Sequence, residues 1–84
     1  MDELTLESTI DGMLSVDYKK RFIAEYNQVK IRLKKLDKTL SDYHDGTLKF
    51  KLDSGIELLT FQSNAMNRYL QILEERALRE DISL

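Results

Sequence analysis

One apolar pattern in the first half of the chain constrains the fold more than any other feature. Apolar side chains alternate at spacings of four and three: Phe22, Tyr26, Val29, Leu33, Leu36, Leu40 and Tyr43. This repeat places them along one side of an α-helix, as a seam about 100° wide. Proline is absent and glycine is rare, so little in the sequence interrupts a helix. We expect a first long helix over residues 15–44, with Ser15 as its N-cap.

The second half of the chain predicts another long helix, over residues 54–81. Ser54 and Glu57 have the spacing of a capping box at its start. Two adjacent apolar stripes then run along it. The first contains Leu58, Phe61, Ala65, Tyr69 and Ile72, and the second contains Leu59, Met66, Leu70, Leu73 and Ala77. Such a helix is apolar around roughly half of its circumference, which is typical of a buried helix.

The connection between the two helices is short. Asp45 and Gly46 are a stop signal, and residues 45–53 form the predicted loop, in which Phe50 and Leu52 should fold back onto the core. A short loop makes the two helices antiparallel neighbours. The sequence therefore predicts an all-α fold: one domain over residues 1–84, built on an antiparallel helical hairpin, with residues 1–14 as a short N-terminal helix or arm.

The widths of the apolar faces predict self-association. A seam about 100° wide on the first helix cannot cover a face about 180° wide on the second. The surplus apolar surface must meet the N-terminal segment, another copy of the hairpin, or both. We expect a homo-oligomer, most simply built from two-fold related pairs.

Composition narrows the classes of function. Cysteine is absent and His44 is the only histidine, so thiolate chemistry and multi-histidine metal centres are excluded. We find no Gly-rich phosphate loop and no nucleophile elbow. No apolar run approaches the ~20 residues that span a bilayer, and the N-terminus is acidic rather than signal-like. We expect a soluble, cytosolic protein that is not an enzyme and uses no cofactor or metal.

Charge is concentrated in the first long helix. Residues 18–38 carry eight basic and two acidic side chains, which gives +6 in a protein of net charge -2. On a helical wheel Tyr18, Arg21, Arg32 and Lys35 lie along one flank of the apolar seam, whereas the remaining lysines point to solvent. These bases either lie over the hydrophobic contact with their alkyl stems or form, with the aromatic ring, a pocket for an anionic, base-bearing ligand.

Two polar residues interrupt the apolar face of the second helix. Gln62 and Arg76 fall in the middle of that face. A buried arginine needs a partner, because an unpaired buried charge is costly. Arg76 either forms an ion pair across a subunit interface, with Glu25 or Glu80 of a neighbour, or lines with Gln62 a polar cavity at the junction of several subunits. In the second case its partner is a bound phosphate. Spacing alone leaves both alternatives open.

Two segments carry a family resemblance. They are "AEYNQVKIRLKKLDKTL" and, after Phe50, "LLTFQSNAMNRYLQILEERA", with the spacing Q-x3-M-x2-Y-x3-L-x2-R. Over roughly residues 18–78 the chain resembles the hairpin domain of phage anti-CBASS cyclic-oligonucleotide sponges, which is related to that of anti-Thoeris sponges. The resemblance implies a small helical oligomer, commonly a hexamer. In the cytoplasm of an infected bacterium it would bind cyclic di- or trinucleotide immune signals without cleaving them.

The resemblance also assigns residues. Tyr18 and Arg32 match positions that contact cyclic dinucleotides in the family, and Arg76 matches an arginine that serves a separate site for cyclic trinucleotides. This sequence departs from the family pattern in having arginine at position 32 and Thr39 in place of an aromatic residue, and in a longer loop around "DGTLKF".

Two rival hypotheses involve no cyclic nucleotide. One is a helical-hairpin oligomerisation or adaptor module that has no nucleotide ligand. The other is a binder of nucleic-acid polymers, which the acidic flanking segments disfavour. We expect neither nucleic-acid polymers nor membranes as partners.

Overall fold

The computed structural model describes residues 4–84. A 3-10 turn at Glu7–Thr9 leads into the short helix α1, Ile10–Met13; two long helices follow, α2 at Tyr18–Asp45 and α3 at Ile56–Arg79. The predicted all-α fold and helical hairpin are confirmed, because α2 and α3 pack against each other and the described residues contain no strand.

The N-terminus of α2 is capped by Asp17, not by Ser15. The Asp17 carboxylate accepts a hydrogen bond from the backbone N–H of Lys19 at 2.9 Å. The Ser15 hydroxyl accepts one from the N–H of Asp17 at 3.0 Å, so it stabilises the turn before the helix. At the other end Gly46 adopts a left-handed conformation, φ 75°, which favours glycine and ends the helix.

The predicted capping box at the start of α3 is wrong. Gly55 is the N-cap residue, and no side chain caps the helix. Gly55 has φ 81° and ψ 152°, a conformation open mainly to glycine. Ser54 therefore lies one residue before the N-cap position, and its hydroxyl does not cap the helix.

The core lies between the two long helices and the C-terminal turn. Its buried side chains are Phe22, Tyr26 and Leu33 of α2, Leu70, Leu73 and Ala77 of α3, and Ile82. Leu73 is completely buried, with 0% of its surface exposed. The apolar seam predicted on α2 thus packs against the second of the two stripes predicted on α3.

The first stripe on α3 is uncovered in the single chain. We call it the outer stripe: Leu58, Phe61, Ala65, Tyr69 and Ile72. Phe61 is 69% exposed and Ile72 is 47% exposed, although both are large apolar side chains. Surplus apolar surface, which the sequence predicts, is therefore present.

The N-terminal segment packs on α2 and leaves the outer stripe free. Gly12 lies so close to α2 that a Cβ atom at this position would be 2.9 Å from the Cβ of Ala24. Thr9 and Ile31 are also buried where the segment crosses α2. Within residues 4–84, neither α1 nor the 3-10 turn packs against α3.

Polar hydrogen bonds also join the two long helices. The Tyr26 hydroxyl donates to Glu74 at 2.7 Å. The Ser63 hydroxyl donates to Asp37 at 2.6 Å, and the Tyr69 hydroxyl donates to Glu25. These bonds lie in the middle part of the hairpin, between residues 25–37 of α2 and residues 63–74 of α3.

The prediction that Phe50 folds back onto the core is wrong. A bend at Phe50 leaves the ring 62% exposed. The ring lies at the rim of a shallow cavity of about 520 Å³, beyond the packed part of the hairpin, which Tyr43 and Ile56 also line. Leu52 is half-buried.

Candidate anion-binding site

Tyr18 and Arg76 meet where the start of α2 passes the end of α3. The Arg76 guanidinium donates to the Tyr18 hydroxyl at 3.0 Å and to the Glu80 carboxylate at 3.2 Å. The Tyr18 hydroxyl in turn donates to Glu80 at 2.5 Å. One carboxylate therefore accepts hydrogen bonds from both residues, as an oxyanion does between a guanidinium and a phenol.

The hydrogen bonds of this cluster shift the pKa values of its members. The hydrogen bond from Tyr18 lowers the pKa of Glu80 below its ordinary value, and Arg76 adds to this effect by a second hydrogen bond and by its charge. The same Tyr18–Glu80 bond raises the pKa of Tyr18, because ionisation would put a second negative charge beside the carboxylate. Both shifts favour a state in which Glu80 is ionised and the Tyr18 hydroxyl keeps its proton.

An aromatic ring holds the Arg76 guanidinium in place. The guanidinium carbon lies 5.0 Å from the centre of the Phe22 ring, which is within the range of a cation–π contact. The Phe22 ring itself is buried and contacts Tyr18 edge-on, with 6.2 Å between ring centres. Arg76 nevertheless keeps 46% of its side-chain surface exposed, so a ligand can reach it.

Arg76 also borders a shallow cavity on α3. This cavity has a volume of about 410 Å³, and two further arginines, Arg68 and Arg79, line it with Arg76. Arg79 is paired with Glu75 at 3.0 Å. The sequence analysis missed Arg68 and Arg79. The signal for them was their spacing, since Arg68, Arg76 and Arg79 fall on one side of a helix with 3.6 residues per turn.

In the single chain Arg76 has a partner of its own, and the two alternatives drawn from the sequence, which both involve neighbouring subunits, stay predictions. The guanidinium is half-exposed rather than buried, and its partner is Glu80 of the same chain. Glu25 instead accepts a hydrogen bond from Tyr69. The cost of burying an unpaired charge therefore does not arise in the single chain.

The other predicted site residues lie elsewhere. Arg21 donates to the backbone oxygen of Ser15 at 2.9 Å and so supports the turn before α2. Arg32 is exposed, and Lys35 lines a different cavity, between α2 and the N-terminal segment. Gln62 is exposed near the start of α3. Fourteen residues separate Tyr18 from Arg32 and Gln62 from Arg76, which is ~21 Å along a helix.

The described residues contain no group of three or more side chains that could hold a metal ion. A membrane-crossing helix is likewise absent from residues 4–84, since none is both long and apolar enough.

Fold and site together define a helical-hairpin protein with a solvent-accessible cluster of Tyr18, Arg76 and Glu80, the Arg76 cluster, at one end. The family model Sequestin matches residues 16–79, which covers both long helices, and the chain belongs to this family. Sequestins are phage sponge proteins that sequester cyclic nucleotide signals, which confirms the resemblance seen in the sequence. The family implies a binding role rather than catalysis. Neither the curated proteins nor the solved structures searched contain a match.

Proposed function

We propose that this protein binds cyclic di- and trinucleotide immune signals and sequesters them, uncleaved, during phage infection. The observation that carries the proposal is the cluster in which Arg76 and Tyr18 both donate to one oxyanion, Glu80, and remain accessible to solvent. It supports the proposal because an accessible guanidinium and hydroxyl can hold a phosphate in the same way.

The proposed step at this site is an exchange of anions. A phosphate of the ligand replaces the Glu80 carboxylate on Arg76 and Tyr18. Arg68 adds positive charge nearby, whereas the charge of Arg79 is balanced by Glu75. The contact with the Phe22 ring limits the motion of the guanidinium, so less conformational entropy is lost on binding. No bond in the ligand is broken.

The outer stripe supports self-association as part of this function. It is apolar along about four turns of α3, and Arg76 follows Ile72 on the same side of the helix. A second copy that covers the stripe would therefore approach Arg76. We propose a homo-oligomer in which ligands occupy the junctions between copies, with six subunits as the family resemblance implies.

The distance along α2 supports a dinucleotide site that is shared between copies of the chain. Tyr18 and Arg32 of one chain are separated by ~21 Å of helix, too far for both to hold one small cyclic dinucleotide. If both residues contact the same ligand, they belong to different copies. Arg21, Lys35 and Gln62 are proposed to flank the bound ligands.

Calorimetry with a panel of cyclic di- and trinucleotides tests the proposal. We expect Arg76→Gln to weaken trinucleotide binding about tenfold or more, because a charge-assisted hydrogen bond to phosphate is lost. Lys49→Gln removes an exposed charge in the loop and serves as the matched control. The nucleotide recovered after heat denaturation should be chemically unchanged. No binding across the panel would exclude the proposal, and a cleaved nucleotide would exclude sequestration.

Mixed oligomers test the shared site. Tyr18→Ala and Arg32→Gln chains should each bind cyclic dinucleotide weakly. After they are unfolded and refolded together at equal concentration, about a quarter of the shared sites should contain both native residues and regain tight binding. If mixing restores nothing while each variant still assembles, the two residues do not share a site.

The alternative function is that of an oligomerisation or adaptor module without a nucleotide ligand. The exposed outer stripe favours it, since an apolar face of this kind is typical of a protein–protein interface. It predicts self-association with no nucleotide binding, and an Arg76→Leu variant that is as stable as the native chain.

A further inference from the structure

We propose a second ligand site, for small phosphate monoesters that carry an apolar group, between the N-terminal segment and α2. The cavity has a volume of about 480 Å³ and is lined by Leu4, Thr5 and Leu6 on one side and by Lys30, Ile31, Lys34, Lys35 and Lys38 on the other. We call it the lysine cavity. It is separate from the Arg76 cluster, since Lys34 lies sixteen residues, ~24 Å of helix, from Tyr18. Lys35 is the one residue that it shares with the residues proposed above to flank cyclic nucleotides.

The charges of the lysine cavity fit an anion. Lys38 forms an ion pair with Asp42 at 3.1 Å, and the Lys30 ammonium lies over the Tyr26 ring, 5.6 Å from its centre. Lys34 and Lys35 have no ion-pair partner among residues 4–84. Lysine ammonium groups bind phosphate as point charges and need no fixed geometry. Two lysines without an ion-pair partner in the described part of the chain, with two partly engaged ones nearby, therefore favour a phosphate of charge -2.

The apolar side of the cavity favours a phosphate ester whose organic group is aliphatic. Leu4, Leu6 and Ile31 supply aliphatic surface beside the lysines, and Ile31 is 8% exposed. Among the described residues that line the cavity there is no aromatic ring, so they supply no stacking surface of the kind on which binding of single-stranded nucleic acids depends. The volume lies within the range of sites for small molecules. These features favour a compact phosphate ester with an aliphatic part over a nucleic-acid polymer.

The sequence explains how the cavity is built. Lys30, Lys34 and Lys38 are spaced by four and so lie along one side of α2. Gly12 permits the close approach of the N-terminal segment to Ala24 on the same helix. That approach brings the leucines of residues 4–6 beside a row of lysines which would otherwise face only water.

The test is an NMR titration of the full chain with hexyl phosphate, inorganic phosphate and 1-hexanol at constant ionic strength. Asp2 and Glu3, the acids that precede Leu4 in the sequence, are then present in every titration. Hexyl phosphate should shift the amide signals of Leu6, Ile31 and Lys34 saturably and bind about tenfold more tightly than inorganic phosphate, because part of its chain is buried. Hexanol should produce no saturable shift.

Two variants separate the contributions. Lys34→Gln should weaken hexyl phosphate binding about threefold or more, whereas Lys49→Gln, with the same charge change in the loop, should not. Leu6→Asn should weaken hexyl phosphate binding and leave inorganic phosphate unaffected. Lys34→Gln must also bind cyclic nucleotides like the native chain, which keeps this site distinct from the proposed sponge function.

Three results would overturn the proposal. They are equal affinities for hexyl phosphate and inorganic phosphate, equal effects of Lys34→Gln and Lys49→Gln, and shifts that lie outside the lysine cavity. Loss of cyclic nucleotide binding in Lys34→Gln would show that Lys34 belongs to the cyclic nucleotide site, and this too would contradict a separate site.

Discussion

Glu80 occupies the two donors that a bound phosphate would need, so it should act as a competitor of the ligand. Replacing Glu80 by Gln removes the negative charge and leaves Arg76 and Tyr18 free to bind an external anion. We expect Glu80→Gln to tighten cyclic trinucleotide binding severalfold in calorimetry. Glu57→Gln, in the first turn of α3, is the control with the same charge change. Equal affinities in the two variants would show that Glu80 does not compete.

The Tyr18–Glu80 hydrogen bond should respond to pH at both extremes. The pKa of Glu80 is lowered from 4.5, so its stabilising contribution is complete above pH 4.5 and is lost as the pH falls through the lower, folded-state pKa. The pKa of Tyr18 is raised from 10.0, so its contribution is complete below pH 10 and is lost as the pH rises through the higher, folded-state value.

A single substitution checks both shifts. In Tyr18→Phe the hydroxyl that lowers the pKa of Glu80 is gone, and this pKa should return toward 4.5 in a carboxyl-carbon NMR titration. A Glu80 pKa that is unchanged in Tyr18→Phe would mean that the hydrogen bond is not formed in solution.

At the scale of elements, the position of the N-terminal segment depends on one glycine. A methyl group at Gly12 would be 2.9 Å from the Cβ of Ala24 and 3.3 Å from the backbone oxygen of Lys20, which are both on a long helix. We expect Gly12→Ala to lower the free energy of unfolding in urea by about 1–3 kcal/mol, through overpacking. Leu14→Ala, at a side chain that is 79% exposed, should have little effect. If Gly12→Ala is as stable as this control, the segment packs differently.

The sequence was informative about elements and less so about their partners. The seam from Phe22 to Tyr43 predicted α2, because apolar residues spaced alternately by four and three match the period of an α-helix and not that of a strand. On α3 both stripes are apolar, and only the packing of the hairpin decides that Leu73 is buried and Ile72 exposed. Periodicity describes which residues share a side of a helix, not what covers that side.

The candidate site shows the same limit. Tyr18 and Arg76 were identified individually, but their contact joins residues 58 positions apart in the sequence. No local pattern reports such a contact, and Glu80 was considered only as a partner from a neighbouring chain. Its place four residues after Arg76, the spacing of a helical ion pair, was the available clue.

At the scale of the whole molecule, the outer stripe should control assembly. Phe61→Lys places a charge at the most exposed large side chain of this apolar surface and should shift the protein toward monomer in analytical ultracentrifugation. Leu78→Lys is the matched control, because Leu78 is 78% exposed and lies on the opposite side of α3. A native chain that stays monomeric at all concentrations, or equal assembly of the two variants, would contradict this role of the stripe.

The hydrogen bonds between α2 and α3 also determine how the two helices are aligned along their length. Apolar side chains that repeat every seven residues would still meet if one helix slid past the other by a heptad. The pairs Tyr26–Glu74, Tyr69–Glu25 and Ser63–Asp37 would all be separated by such a slide. These unevenly spaced polar pairs therefore give the hairpin a single register, and with it a fixed distance between the Arg76 cluster and every other group on the surface.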